Sequence, residues 1–234
     1  MLILALESTT EACSVALYNN GSITERFKIA PRQHTNLLLN MVDKLLSDEG
    51  ISKDELNAIA FCCGPGAFTG LRITTGVAQG LGFGLNIPLI PISSLAALAQ
   101  GGYRNSKGQH THQHTHFLSC LDARKGEVFW GEYSAKKGEI TLEGKEYVSP
   151  IEKIAEKLAQ RDDSNYPWYV LGTGLEIVEK LNEPKLNFVD SIGENIHYPH
   201  AYDIAFLAAR EFNNGNMVTA EQAVPVYLRN NVTY

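Results

Sequence analysis

A glycine-rich turn constrains the fold of this 234-residue chain more than any other stretch: Cys63-Gly64-Pro65-Gly66-Ala67-Phe68-Thr69-Gly70-Leu71-Arg72. The apolar run before it, residues 56–63, is bounded by turn signals and predicts a strand buried on both faces. The segment after it, residues 70–85, has helical length but contains five glycines. An interior glycine costs a helix about 1 kcal/mol relative to alanine, so their retention indicates that another element packs closely against this helix.

Two predicted helices have more apolar or small surface than a single core requires. At 100° per residue, Gly76, Gly80 and Gly84 fall on one face of the helix at 70–85, and a face without Cβ atoms admits another backbone. The helix predicted at 34–47 has an apolar arc of roughly 200°, wider than the stripe of about 100° that suits one core. Either a neighbouring helix or a partner protein would cover the remainder, and the two faces together favour the partner. The residues predicted to contact it are Leu37, Leu38, Met41, Val42, Leu45, Ile73, Gly76, Val77, Gly80 and Gly84.

The first hundred residues read as strands and helices of one α/β lobe. Three strand-like segments, at 2–7, 12–18 and 22–29, come before the first helix, and further strands and helices then alternate up to residue 101, which predicts a mixed sheet. Ser8, Thr9 and Thr10 join the first two strands. Hydroxyls and backbone N–H groups at such a tip can cradle phosphate oxygens, but they also stabilise turns without any ligand, and the second interpretation is favoured.

Composition changes at residues 101–115, which are polar and predict an exposed loop between two lobes. His110, His112, His114 and His116 alternate there, and in an extended segment they would point to one side and could chelate a divalent metal. No carboxylate lies beside them to orient the imidazoles, so any metal binding is expected to be adventitious. A second lobe is predicted to follow, with strands at 117–122, 126–133, 140–148 and 168–171, helices at 151–160 and 175–181, and a last helix at 202–212. Asp122 and Arg124, in the turn of its first hairpin, suit either a catalytic pair or a turn-stabilising ion pair, and the latter is commoner.

Charge and composition narrow the function classes. The 20 basic residues against 26 acidic ones give a net charge of −6 without a basic stripe, so a nucleic-acid substrate would be held mainly by another subunit. The apolar start lacks the basic region of a signal peptide, and no apolar run reaches the roughly 18 residues of a membrane span, so a cytoplasmic location is expected. The four cysteines lack C-x-x-C spacing and predict buried thiols. The sequence contains no G-x-S-x-G, P-loop or H-E-x-x-H motif.

Several long motifs resemble the bacterial TsaB (YeaZ) family across nearly the whole chain. These are Glu7-Ser8-Thr9-Thr10-Glu11-Ala12-Cys13-Ser14-Val15-Ala16-Leu17, Pro31-Arg32-Gln33-His34-Thr35, Gly64-Pro65-Gly66-Ala67-Phe68-Thr69-Gly70-Leu71-Arg72, Val77-Ala78-Gln79-Gly80-Leu81, Leu121-Asp122-Ala123-Arg124-Lys125-Gly126-Glu127-Val128 and Pro225-Val226-Tyr227-Leu228-Arg229-Asn230-Asn231. The resemblance implies the ASKHA (actin, hexokinase, Hsp70) class of α/β fold with mixed sheets. One lobe would comprise residues 1–104 with about 199–234, and a reduced second lobe residues 105–198.

The same resemblance implies a role in making N6-threonylcarbamoyladenosine at position 37 of tRNAs that read ANN codons. In that family the protein is a non-catalytic scaffold that forms a heterodimer with a TsaD-like catalytic subunit, acts with a TsaE-like ATPase and a TsaC-type protein, and forms a homodimer when alone. The pairing surface of the family is the two helices described above. It implies no cofactor of the chain's own; ATP or ADP and a metal would reside in the partner subunits, and tRNA would be met through the complex.

Two departures concern catalysis. Catalytic relatives carry an H-x-x-x-H metal pair on a helix, whereas here His34 stands four residues before Leu38. ASKHA phosphate loops usually begin with Asp, and here Glu7 stands at that position. Activity of its own is therefore not expected, and a stand-alone ASKHA enzyme, either a small-molecule kinase or a metallopeptidase, stays as the alternative.

Overall fold

The computed structural model describes residues 1–106, 115–136, 139–159, 168–174, 186–188 and 197–229. The chain is an α/β protein that divides into two compact units. Unit 1 comprises Met1–Ala97 and Pro199–Val226, and unit 2 comprises Leu98–Tyr198 and Tyr227–Tyr234. No helix within the described part of the chain is long and apolar enough to cross a membrane.

Unit 1 is built on a five-stranded mixed sheet. Its strands are β1 (Leu2–Glu7), β2 (Ala12–Asn19), β3 (Ser22–Ile29), β4 (Ala58–Gly64) and β5 (Leu89–Ser93), in the order β3-β2-β1-β4-β5. The first three strands are antiparallel neighbours, while β4 and β5 run parallel to β1. Every residue of β4 is buried. This confirms the prediction that a strand buried on both faces comes before the glycine-rich turn.

Helices cover both faces of this sheet. They are α1 (His34–Glu49), α2 (Phe68–Leu85) and the last helix, numbered α5 below (Ala201–Asn213). A short 3-10 turn lies at Lys53–Glu55, and α3 (Ser94–Asn105) follows β5 and continues into unit 2. Leu38 and Val42 of α1 share one core cluster with Leu4 and Leu6 of β1. The helix α5 lies on β1 and β2, where alternate strand residues face away from that cluster.

Unit 2 contains a six-stranded mixed sheet. Its strands are β6 (Thr115–Arg124), β7 (Glu127–Lys136), β8 (Glu139–Leu142), β9 (Tyr147–Pro150), β10 (Trp168–Leu171) and β11 (Leu186–Phe188), and α4 (Ile151–Ala159) follows β9. The main order is β11-β10-β6-β7-β8, with β9 also paired to β7. The single strand predicted at 140–148 is therefore two shorter strands, separated by a turn at Gly144, whose φ is +91°.

The two sheets repeat one topology. In unit 1, β1 pairs antiparallel with β2 and parallel with β4, β2 pairs antiparallel with β3, and β4 pairs parallel with β5. In unit 2, β6, β7, β8, β10 and β11 pair in the same way, and β9 is an additional strand beside β7. Two copies of this arrangement in sequence are what the ASKHA class implies, and they confirm the predicted fold class.

The boundaries of the units differ from the prediction at two places. The first boundary lies after Ala97, inside α3, and not at residue 104. The helix α3 continues to Asn105, whereas an exposed loop was expected from residue 101. Gly102 lies where this helix meets β10: a Cβ there would lie 2.4 Å from Cδ1 of Leu171, so a larger residue would require the Leu171 side chain to move. The second is the tail from Tyr227, which belongs to unit 2. Arg229 holds it there by contacting the Glu127 carboxylate and the Ala123 carbonyl oxygen.

Candidate functional site: a helix face and an inward-turned loop

The face of α2 that carries Gly76, Gly80 and Gly84 is exposed. A Cβ atom placed on any of these three glycines would meet no atom of the described residues within 4 Å. Beside them Phe83 leaves 75% of its accessible surface uncovered, the highest value among the described large hydrophobic residues. The helix therefore presents a surface with a flat glycine stripe and one protruding aromatic ring, and nothing in unit 1 explains its glycines.

The residues predicted to contact a partner divide into two groups in the structure. Leu38, Val42 and Leu45 are at most 1% exposed and belong to the core under α1. This burial corrects their assignment to a contact surface: they hold α1 on the sheet from beneath. The flanking Leu37, Met41, Ile73 and Val77 are half-buried at the edge of that core, and the three glycines are exposed.

Two other glycines near the start of α2 serve a different purpose. A Cβ on Gly70 would lie 2.0 Å from the carbonyl oxygen of Ser8, and one on Gly66 would lie 2.6 Å from that of Thr9. The Ala67 N–H donates to the same Thr9 carbonyl at 2.7 Å. The glycine-rich turn is therefore packed directly on the loop between β1 and β2, at a separation that no side chain would allow.

The candidate phosphate loop faces the protein interior. Ser8 and Thr9 have no exposed surface, and Thr10 is half-buried. The Ser8 hydroxyl donates to the Gly70 carbonyl at 3.1 Å and shares a hydrogen bond of 2.5 Å with Thr74. These hydrogen bonds join the loop to α2.

Glu7 is the buried ionisable group of this loop. Its Oε1 accepts hydrogen bonds from the Thr9 N–H at 2.6 Å and the Thr9 hydroxyl at 2.5 Å, while Oε2 has no hydrogen-bond partner among the described residues. Complete burial raises the pKa of Glu7 to about 7, although the hydrogen bonds from Cys62 and Thr9 oppose the rise. A carboxyl group in this environment is suited to the neutral form and not to a fixed negative charge beside a phosphate.

An extended strap runs along unit 1 after α5, and its last part belongs to the segment at residues 224–229 that the sequence predicts to be extended and packed against the body of the protein. Val218 pairs with Leu89 of β5, the Gln79 side chain donates to the Ala223 carbonyl at 2.7 Å, and the Val226 N–H donates to the Cys63 carbonyl at 2.8 Å. The strap thus packs on the same helix as the glycine stripe and adds Val224, 59% exposed, to the apolar surface of unit 1.

In unit 2, the residues singled out by sequence form the turn of the β6–β7 hairpin and its support. The Arg124 guanidinium lies 3.2 Å from the Asp122 carboxylate, so the ion pair predicted there is present. The Asp122 N–H donates to the Thr173 hydroxyl at 3.2 Å, and the Gly174 N–H donates to the Cys120 carbonyl at 3.0 Å. The short Gly172-Thr173-Gly174 sequence thus packs against β6.

The histidine and cysteine predictions have separate outcomes. His110, His112 and His114 lie outside the described residues, whereas His116 lies in β6 and stacks on Trp168 with ring centroids 4.9 Å apart, so it does not belong to the predicted loop. Across the described ranges, no three His, Cys, Asp or Glu side chains stand together as a metal site. All four cysteines are buried thiols that form no disulfide, as predicted, and burial raises the pKa of Cys13 to about 12.

Comparison with known proteins gives consistent results over the whole chain. The family model described as "TsaD: tRNA N6-adenosine threonylcarbamoyltransferase" matches residues 26–233. The tRNA threonylcarbamoyladenosine biosynthesis protein TsaB of Escherichia coli is 40% identical over 235 residues, which cover 100% of this chain and 97% of the relative. The protein of the same description from Haemophilus influenzae is 34% identical, covering 100% and 96%.

Two solved structures from Pseudomonas aeruginosa are also similar. One, an uncharacterized protein with similarity to peptidase YeaZ, has a TM-score of 0.83 at 40% identity and covers 97% of this chain and 99% of its own. The other, YeaZ, has a TM-score of 0.81 at 39% identity with the same coverage.

Taken with the repeated sheet topology and the loop that closes inward on α2, these similarities define an ASKHA-type α/β protein of tRNA threonylcarbamoyladenosine biosynthesis. Within that class the chain belongs to the TsaB (YeaZ) family.

Proposed function

We propose that this chain is a non-catalytic scaffold subunit of the complex that installs N6-threonylcarbamoyladenosine at position 37 of ANN-decoding tRNAs. It forms a heterodimer with a TsaD-like catalytic subunit and contacts that subunit through the exposed face of α2. The observation that carries this proposal is the glycine stripe of Gly76, Gly80 and Gly84, where a Cβ would meet nothing within 4 Å. Glycines that cost helix stability and contact nothing among the described residues of their own chain are accounted for by a helix of another chain packed against them.

The remainder of the contact would come from residues around the stripe. Phe83 supplies a large exposed ring, and the half-buried Leu37, Met41, Ile73 and Val77 supply an apolar border. Aromatic anchors surrounded by partly covered aliphatic groups are typical of the centre of protein–protein interfaces. In the absence of the catalytic partner, the same surface would pair with a second copy of this chain.

We assign catalysis to the partner because of the chemistry of the loop between β1 and β2. The hydroxyls of Ser8 and Thr9 are used within the protein, and the carboxyl group of Glu7 is buried with a pKa near neutrality. We therefore assign the ATP or ADP and the metal to the partner subunits, with a TsaE-like ATPase as a further member of the complex. Tests for ATP turnover and peptide cleavage by the purified chain address the alternative of a stand-alone kinase or metallopeptidase.

The decisive variant is Gly80→Arg, because residue 80 lies in the middle of the stripe and has open space around it. We expect the isolated variant to fold, since the added side chain extends into solvent. Its affinity for the TsaD-like subunit should fall about 100-fold or more, because an unpaired charge buried in an interface costs several kcal/mol. Co-purification and calorimetric titration with that subunit measure the effect.

Asn213→Arg is the matched control, because it adds the same charge at an exposed position on α5. It should leave the affinity within twofold of the parent, roughly the change expected of a surface substitution. A Gly80→Arg variant that still binds with parental affinity would overturn the assignment of the α2 face, and a parental chain that does not bind the subunit would overturn the proposed function itself.

A further inference from the structure

The strap after α5, here taken as residues 218–226, is fixed to α2 and leaves two valine side chains exposed. The Gln79 side chain on α2 donates to the Ala223 carbonyl at 2.7 Å, and the Val226 N–H donates to the end of β4 at 2.8 Å. Ala223 is 1% exposed and belongs to the core of unit 1, whereas Val224 and Val226 are 59% and 43% exposed among the described residues. The segment is therefore held in place from beneath while its valines face outward.

The strap lies on one flank of the exposed α2 face. At 100° per residue, Gln79 and Phe83 form the row on one side of the glycine stripe, and Ile73 and Val77 form the row on its other side. The strap contacts Gln79, while Ile73 and Val77 pack on the core cluster that includes residues of α1. The glycine stripe thus has α1 on one flank and the strap on the other.

The two flanks differ in polarity. The side of α1 that carries its half-buried apolar residues also carries Asn40 and Lys44, which are both exposed. The strap flank instead presents Phe83, which is 75% exposed, together with Val224 and Val226, which only a proline separates. The exposed apolar surface therefore continues from the stripe onto the strap, whereas on the α1 side it ends at polar groups.

The glycine stripe is too small to hold a partner subunit by itself. From Gly76 to Gly84 it is about 12 Å long, and the face of a helix is about 10 Å wide. Its footprint is thus on the order of 100 Å², whereas each partner in a stable complex buries about 800 Å². A partner seated on the stripe must also cover surface beside it. The strap is the adjoining surface that is apolar, exposed and fixed in position, which is the character of a protein–protein contact.

We propose that the strap is a second contact element for the TsaD-like catalytic subunit, with Val224 and Val226 packed against an apolar surface of that subunit. The inference rests on the proposed function and extends the contact from α2 to the segment that follows the last helix. Because hydrogen bonds to Gln79 and to β4 already fix the backbone of the strap, binding orders few additional groups and loses little conformational entropy.

The test is Val224→Asp, which places a charge on the strap and leaves α2 unchanged. The isolated variant should unfold within about 3 °C of the parent, since substitutions of exposed side chains change stability little. Its affinity for the TsaD-like subunit, measured by calorimetric titration, should fall about 50-fold, because an unpaired carboxylate is then buried in the contact. Val224→Ser removes the apolar surface without adding a charge and should lower the affinity about fivefold.

Ile29→Asp is the matched control, because Ile29 is 56% exposed and lies on β3, at the edge of the sheet opposite to β5. It introduces the same charge and should leave the affinity within about twofold of the parent.

Val224 variants that bind the subunit with parental affinity overturn the inference, and if Gly80→Arg still lowers the affinity, the proposed function stands. Val224 variants that lose only the self-association of the isolated chain also overturn it, and assign the strap to a contact between copies of this chain. A parental chain that does not bind the subunit overturns the proposed function itself.

Discussion

At the scale of single residues, Glu7 is the most unusual group in unit 1. Its carboxyl group is completely buried, one oxygen lacks a hydrogen-bond partner among the described residues, and its pKa is raised from 4.5 to about 7. Below about pH 4.5 it is protonated in both the folded and the unfolded chain. As the pH rises towards 7, the unfolded chain ionises first, so the free energy of unfolding falls. Above 7 both states are ionised, and the folded state carries the full cost of the buried charge.

We therefore expect Glu7→Gln to be more stable than the parent by about 3 kcal/mol near pH 8, with the difference disappearing towards pH 4.5. The amide has the shape of the neutral acid: it keeps an oxygen for Thr9 and places a donor where the protonated acid has one. Chemical denaturation across this pH range measures the effect. A variant as stable as the parent at every pH would show that the pKa of Glu7 is the same in the folded and the unfolded chain.

At the scale of elements, α2 combines glycines of opposite purpose along one helix. Gly70 contacts the loop between β1 and β2 so closely that a Cβ would lie 2.0 Å from a backbone oxygen, whereas Gly76 has open space. The periodicity of the sequence identified the exposed stripe correctly. It did not reveal that Gly70 is needed for close packing inside the protein, because that packing depends on a loop more than sixty residues earlier in the chain.

This contrast predicts opposite effects for the same substitution. Gly70→Ala should destabilise the isolated protein by about 3 kcal/mol, because a backbone oxygen cannot move away as a flexible side chain would. Gly76→Ala should stabilise it by about 0.5–1 kcal/mol, through the better helix propensity of alanine. Urea denaturation of the two variants and the parent measures both. Equal effects from the two substitutions would contradict the assignment of the two glycines to different surroundings.

At the scale of the whole molecule, the chain should need its partner for every chemical step. We expect the purified protein to neither turn over ATP nor modify tRNA, and modification to appear only when the TsaD-like subunit and the other proteins of the complex are added. Ser8→Ala serves as the discriminating variant: in a scaffold it reduces stability by about 1–2 kcal/mol through the lost buried hydrogen bonds. ATP turnover by the parent alone that disappears in Ser8→Ala would instead support the kinase alternative.

The sequence by itself determined most of the elements of this protein and the glycine stripe. Period-2 and period-3.6 patterns, turn residues and the spacing of Gly76, Gly80 and Gly84 act over a few residues, so they can be read locally. Only the tertiary structure decided that Leu38, Val42 and Leu45 are core, that Ser8 and Thr9 turn inward, and that the strap after Val218 returns to α2. Each of these depends on which distant segment packs on the residue, and a local pattern contains no information about that contact.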